Sequence, residues 1–216
     1  MTYLEAVNSV LRRLREREVN SVSETSYSRL IGDFVNDARA EVENAWNWSS
    51  LRTTLSLTTT ADVFNYELNG SKNNFNVIDV INDTSNMFME YKSGQAFDKL
   101  FLTQDPVAKG SPSDYNWNGV SADGDTQVDI YPIPDGVYNI RFNVLLRNTE
   151  LTANADVINV PHRPVVLLAF AKAIEERGED GGNTSQYAYG TGMRALADEI
   201  AYDAARRPED TIWYPV

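Results

Sequence analysis

The sequence predicts an α+β fold: a helical bundle formed by the N- and C-terminal helices, with an antiparallel β domain inserted between them. Three observations predict it. Apolar residues recur at helical spacing near both ends of the chain, at Leu4, Val7, Leu11 and Leu14 and again at Tyr189, Met193, Leu196, Ile200 and Ala204. Between Thr53 and Arg147 the period drops to two. The run from Val165 to Ile174 is broken by one polar residue, Lys172, so as a helix it is apolar nearly all round and belongs inside a bundle. The expected boundaries are 1–52 and 148–207 for the bundle, 53–147 for the β domain and 208–216 for a C-terminal docking tail.

The first helix opens on Thr2 with Glu5 at capping-box spacing. It ends among Arg12, Arg13, Arg15 and Arg17, which favour the negative end of the helix dipole. Interleaved with Glu16 and Glu18, this run reads as a solvated helix end, the alternative being a phosphate or acidic-partner contact. After the Ser21–Ser26 connection, a second helix aligns Tyr27, Ile31, Phe34, Ala38, Val42 and Ala45 in one stripe, with Asp33, Asp37, Arg39 and Glu43 largely off it. Trp46 and Trp48 close it, read as a buried pair ahead of an exposed binding platform.

Leu55 and Leu57, then Phe64, Tyr66 and Leu68, alternate with polar residues up to the turn Asn69-Gly70. Further strands are expected at Asn76–Ile81 and Met87–Tyr91, and a short helix over Gln95–Leu102. Asp105–Asp125 is aperiodic and reads as a loop holding Tyr115 and Trp117. Val128 and Ile130 resume the alternation, Pro132–Gly136 turns the chain, and Val137–Leu146 sets Tyr138, Ile140, Phe142 and Val144 on one face. Pro161 and Pro164 suit the first turn of the central helix and Gly178 its end. An acidic, glycine-rich link, Glu179–Asn183, precedes the last helix, which Pro208 stops.

At 216 residues the chain is long enough for a sizeable core, and 42% hydrophobic with 23% charged residues is ordinary for a soluble globular protein. Apolar runs fall short of the ~18 residues of a membrane helix. Met1-Thr2-Tyr3-Leu4-Glu5 lacks the basic start and apolar block of a signal peptide, so none is expected. With no cysteine, disulfides, thiol catalysis and thiolate metal sites are excluded. A formal charge of −12 argues against a general nucleic-acid binder, since phosphate affinity comes from clustered Lys and Arg.

Little supports an enzyme. The single histidine, His162, sits between two prolines, reads as structural or solvated, and has no nucleophile elbow to serve. One imidazole without thiolates does not suit zinc. Asp123-Gly124-Asp125 with Asp129 fails the spacing of a calcium loop and reads as a hairpin turn. The glycines from Gly178 to Gly182 and in Gly190-Thr191-Gly192 lack phosphate-loop spacing. No catalytic, cofactor-binding or metal residue is assigned. The candidate partner-binding residues are Tyr115, Trp117, Ile212, Trp213 and Tyr214, aromatic and apolar groups expected to lack a local core. The tail residues are expected to dock either on the chain's own body or on a neighbouring subunit.

The order of features is the distinctive part. Ala6-Val7-Asn8-Ser9-Val10-Leu11 lies on the first helix and Ala45-Trp46-Asn47-Trp48 ends the second. The β insertion closes on Ile130-Tyr131-Pro132-Ile133-Pro134-Asp135-Gly136, and Leu151-Thr152-Ala153-Asn154-Ala155-Asp156 leads to Val160-Pro161 and an Ala-rich helix. Over nearly its whole length the chain resembles the head-to-tail adaptor of short-tailed, T7-like bacteriophages, the tail tubular protein A family. The resemblance implies a virion structural protein, not an enzyme and without cofactor, located in the tail neck and assembled in the host cytoplasm. Its implied partners are other copies of itself in a dodecameric ring, the portal protein and the tail nozzle protein. DNA would pass through the lumen without sequence-specific binding, and no membrane is involved. Two rival readings are a carbohydrate-binding module using Tyr115, Trp117 and Tyr131, and a cell-wall-degrading virion protein.

Overall fold

The computed structural model describes residues 1–72, 74–103, 105–178 and 182–206. The expected tail 208–216, and Pro208 as a helix stop, lie outside them. In chain order the elements are α1 (Tyr3–Arg13), α2 (Ser26–Ala45), β1 (Arg52–Thr58), β2 (Asn65–Leu68), β3 (Phe75–Asn82), β4 (Met87–Phe88), β5 (Glu90–Tyr91), α3 (Gly94–Leu102), β6 (Asp114–Val120), β7 (Thr126–Tyr131), β8 (Asn139–Leu146), α4 (His162–Arg177) and α5 (Asn183–Ala205). The fold is α+β. The chain forms two compact units, Met1–Leu51 with Asn148–Val216, and Arg52–Arg147.

In the first unit α4 packs against α1, α2 and α5. Val165, Leu168, Ala169 and Ala173 are fully buried. Lys172, the polar break in the run, escapes sideways to Glu41 of α2 at 2.6 Å. Gly178 ends the helix in the left-handed region (φ 63), where its N–H reaches the carbonyls of Ile174 and Glu175. Both earlier helices start with reciprocal caps: Thr2 accepts from the Glu5 N–H while its own N–H donates to Glu5 Oε2, and Thr25 pairs likewise with Ser28. The segment before α4 is laced to the N-terminus by Tyr3 N–H to the Asp156 carbonyl (2.8 Å) and Leu4 N–H to that of Asn154 (3.2 Å).

Three expectations are corrected here. Arg39 and Glu43, placed off the α2 stripe by periodicity, are buried, with side chains only 4% exposed. The cause is the chain's return at Asn148–Thr149, whose carbonyls need donors: Arg39 Nη1 donates to Thr149 O at 2.8 Å, and the Asn148 amide donates to Glu43 at 3.3 Å. Trp46 and Trp48 are not an equivalent buried pair. Trp48 is 1% exposed with its indole N–H on the Val42 carbonyl, whereas Trp46 is half-buried and donates to Asp203 of α5. Third, of the α5 stripe Tyr189, Met193, Leu196, Ile200 and Ala204, Leu196 is buried, whereas Tyr189 and Met193 are 48% and 42% exposed. Beside Leu196 the helix buries Ser185, Ala188, Gly192, Ala195 and Asp203. A Cβ at Gly192 would lie 2.8 Å from Leu168 Cδ2 and 3.3 Å from its backbone nitrogen, so this close seam selects small residues.

The second unit is two four-stranded sheets, ordered β1-β8-β3-β4 and β2-β7-β6-β5. Their inward residues, among them Leu57, Leu68, Val80, Val128, Ile130, Ile140, Phe142 and Val144, form one core. Gly70, at φ 84, makes the turn after β2. Pairing is antiparallel except between β5 and β6, which run parallel. The single strand expected at Met87–Tyr91 is divided: Met89 is buried, β4 pairs in one sheet and β5 in the other. The loop expected at Asp105–Asp125 contains β6, whose alternation is hidden by a register shift between Trp117 and Val120, where Gly119 takes φ 82.

Removing one partner of a buried ion pair leaves the other charge uncompensated and typically costs about 3–5 kcal/mol. With Arg39 Nε 3.7 Å from Glu43 Oε1, Arg39→Ala is therefore expected to lower the unfolding free energy, read from urea melts of the far-UV helical signal, by that order. A loss below about 1 kcal/mol, the range of an exposed pair, contradicts the burial assigned to this pair.

Candidate interaction surfaces

On β6, Tyr115 and Trp117 are two residues apart and share a face of the strand. Tyr115 is 7% exposed and meets Tyr91, Trp117 and Phe142 edge-on, with ring centroids 5.4–6.0 Å apart. Burial, with a smaller contribution from Tyr91, pushes its phenol above the usual tyrosine range. Trp117 is half-buried against Phe75 (5.3 Å) and Phe142 (5.9 Å). Both aromatics thus have a local core, which corrects the expectation that they lack one. Trp117 also lines an open groove of about 730 Å³ with Phe75, Val77, Val120 and Thr126. Tyr131 is buried against Phe97 and Phe101, so Tyr115, Trp117 and Tyr131 do not form a common exposed platform. Ile212, Trp213 and Tyr214 lie outside the described residues.

The acidic turn proves to be a brace. Asp125 accepts the N–H groups of Gly70 (3.0 Å) and Lys72 (2.8 Å), fastening the β2 turn to the β6–β7 hairpin. These two bonds, Gly70's first, hold its carboxyl below the ordinary aspartate value. Asp129 accepts from the Asn65 amide at 2.6 Å. His162 is exposed at the start of α4. Among the described residues no group of three or more His, Asp and Glu is placed to hold a metal, and no helix is long and apolar enough to cross a membrane.

The helical unit has a recess that sequence reading missed. Leu14, Phe170 and Ile174 line it together with Arg13, Arg15, Arg177 and Thr184, enclosing about 270 Å³. Arg177 is held by Tyr27 Oη at 2.8 Å and by Glu16 at 2.6 Å, and lies over the Tyr27 ring. Arg13 donates to Ser9 Oγ. The signal for this recess was present in the all-round apolarity of α4: α1, α2 and α5 do not cover every side of it, so Phe170 and Ile174 remain half-exposed.

Both features are apolar recesses with polar edges, suited to holding a partner. The family model described as SU10 adaptor protein matches residues 1–212. The chain belongs to the SU10 adaptor protein family. No curated protein matches it significantly. The match reaches the adaptor class that the sequence resemblance pointed to, under a family heading other than tail tubular protein A. For this SU10 adaptor family member, membership indicates a phage structural protein.

The bonds to Asp125 are stronger to its carboxylate form, so the stability they contribute is present above the ordinary aspartate pKa near 3.8 and is lost as pH falls from there through the lowered value of the folded chain. Asp125→Asn is expected to unfold more easily at neutral pH and to lose less stability than the parent chain on acidification through that window. Parallel acid-unfolding curves for the two proteins would contradict this role.

Proposed function

We propose that the protein is a head-to-tail connector of a short-tailed phage, forming a ring, dodecameric as in tail tubular protein A, between the portal and the tail nozzle. The whole-length adaptor-family match carries this reading. Its division of labour follows from the two-unit construction. The helical unit, built as a bundle from both ends of the chain, holds neighbouring copies and the portal. The β unit, inserted at 53–147, offers the Trp117 groove to the nozzle protein, with Tyr115 behind it as the support that fixes the indole. The segment 208–216, with Ile212, Trp213 and Tyr214, is the docking tail toward portal or neighbour. The protein resides in the virion neck after assembly in the host cytoplasm, and its net charge of −12 keeps DNA from adhering as it passes through the lumen.

A carbohydrate-binding role is less well supported, because Tyr115 and Tyr131 are buried and neither lines the groove beside Trp117.

Size measurement of the purified chain with and without a portal ring tests the proposal. A discrete complex carrying many copies of the chain per portal is expected. No association at micromolar concentrations would overturn it. Once that complex is in hand, Trp117→Ala is expected to leave portal binding intact and to weaken capture of the nozzle protein. Deleting 209–216 should weaken capsid–tail joining while the helical signal persists. Unchanged nozzle capture, or normal joining after the deletion, would remove those two assignments.

A further inference from the structure

The helical unit carries two unlike faces on opposite sides of α4. Phe170 and Ile174 are four residues apart and share one side of that helix, whereas Lys172 between them points to the other. On the first side lies the recess of Leu14, Phe170 and Ile174, edged by Arg13, Arg15 and Arg177 with Glu16 as the one acid paired there. On the second, Lys172 meets Glu41, its charged form is further favoured by Asp37, and Tyr189 lies close by. Beside it on α5 stand Tyr189 and Met193, 48% and 42% exposed and four residues apart, so that they share a face. Among the described residues named here, this side sets two acids against one base, and the recess three bases against one acid.

Each face alone is incomplete. Tyr189 and Met193 are large groups that α5 turns outward, its closest approach to α4 being at Gly192 against Leu168. The recess is an apolar floor with nothing to fill it among the described residues. Neither face suits itself, since pairing like with like would set acid against acid or Arg against Arg. Each suits the other in charge and in apolar content.

We infer that the Tyr189–Met193 face of one copy, with Asp37 and Glu41 at its edge, seats in the Arg13/Arg15/Arg177-edged recess of the next copy. The contact is head-to-tail, the type that closes into a ring or runs on as a filament, and not the two-fold type that stops at a dimer. This deepens the connector reading and rests on it. It names the surface by which one copy recognises another.

The chain contains no cysteine, so introduced thiols are unique reporters. Met193→Cys and Ile174→Cys are made separately in the full-length chain, mixed, and treated with a short bismaleimide. A contact that needs both faces gives a mixed-dimer yield roughly tenfold above either variant alone. The double variant M193C/I174C gives a ladder of multimers, and Arg15→Glu lowers the yield. Leu14→Cys replaces Ile174→Cys if the latter loses its helical signal. Equal cross-linking by one variant alone, or no cross-link from the mixture, overturns the inference. If copies assemble on the portal without this cross-link, the interface is wrong and the connector reading stands. If the cross-link forms but no portal is bound, the interface stands and the connector reading falls.

Discussion

A helix carrying Val165, Val166, Leu168, Ala169, Ala171 and Ala173 at 3% exposure or less cannot stand in water alone. Short isolated helices are marginal even with good propensity, and this one presents no continuous polar side to solvent. It forms because α1, α2 and α5 cover it, and those elements come from both ends of the chain. The need to bury α4 therefore joins the termini into one unit and leaves the middle of the chain free to fold as another. Where the cover is incomplete, at Phe170 and Ile174, the same apolar excess lines an open recess.

Returning the chain from the β unit creates a second constraint. Residues 148–160 have little regular structure, so their backbone groups need partners elsewhere. Arg39 serves Thr149, Asn36 serves Leu151 in both directions, and Tyr3 and Leu4 serve Asp156 and Asn154. A buried ion pair such as Arg39–Glu43 is weak as a source of net stability, because desolvation offsets much of its attraction. Its value here is positional: it fixes where the returning chain lies against α2, and so where α4 begins.

Much of this was legible in the residues. The capping box at Thr2, the apolar run of α4 with its Gly178 end, and the strict alternation of Ile140, Phe142 and Val144 are local signals with one physical meaning each, and all appear as read. What stayed hidden depends on neighbours distant in sequence. Arg39 and Glu43 look solvent-facing until Asn148 and Thr149 arrive beside them. The α5 stripe through Tyr189 and Met193 is correctly periodic, yet the helix turns small residues inward because Leu168 lies so close to Gly192. Strand β6 is masked by Asn116, Asn118 and Gly119, and the division at Met89 follows from two sheets competing for one short segment. The groove beside Trp117 was not legible, because Phe75, Val77 and Val120 meet that residue only through sheet packing.

The chain thus folds as a helical unit built from both of its ends and a separate β unit. The account depends on α4 being the element whose burial holds the helical unit together. Native-state hydrogen exchange tests this directly. The amides of Val165–Ala173 should be the slowest in that unit and should open only in the event that also releases α1 and α2. If those amides exchange as fast as the ends of α5 while α1 and α2 stay protected, the helical unit is held together by something other than α4.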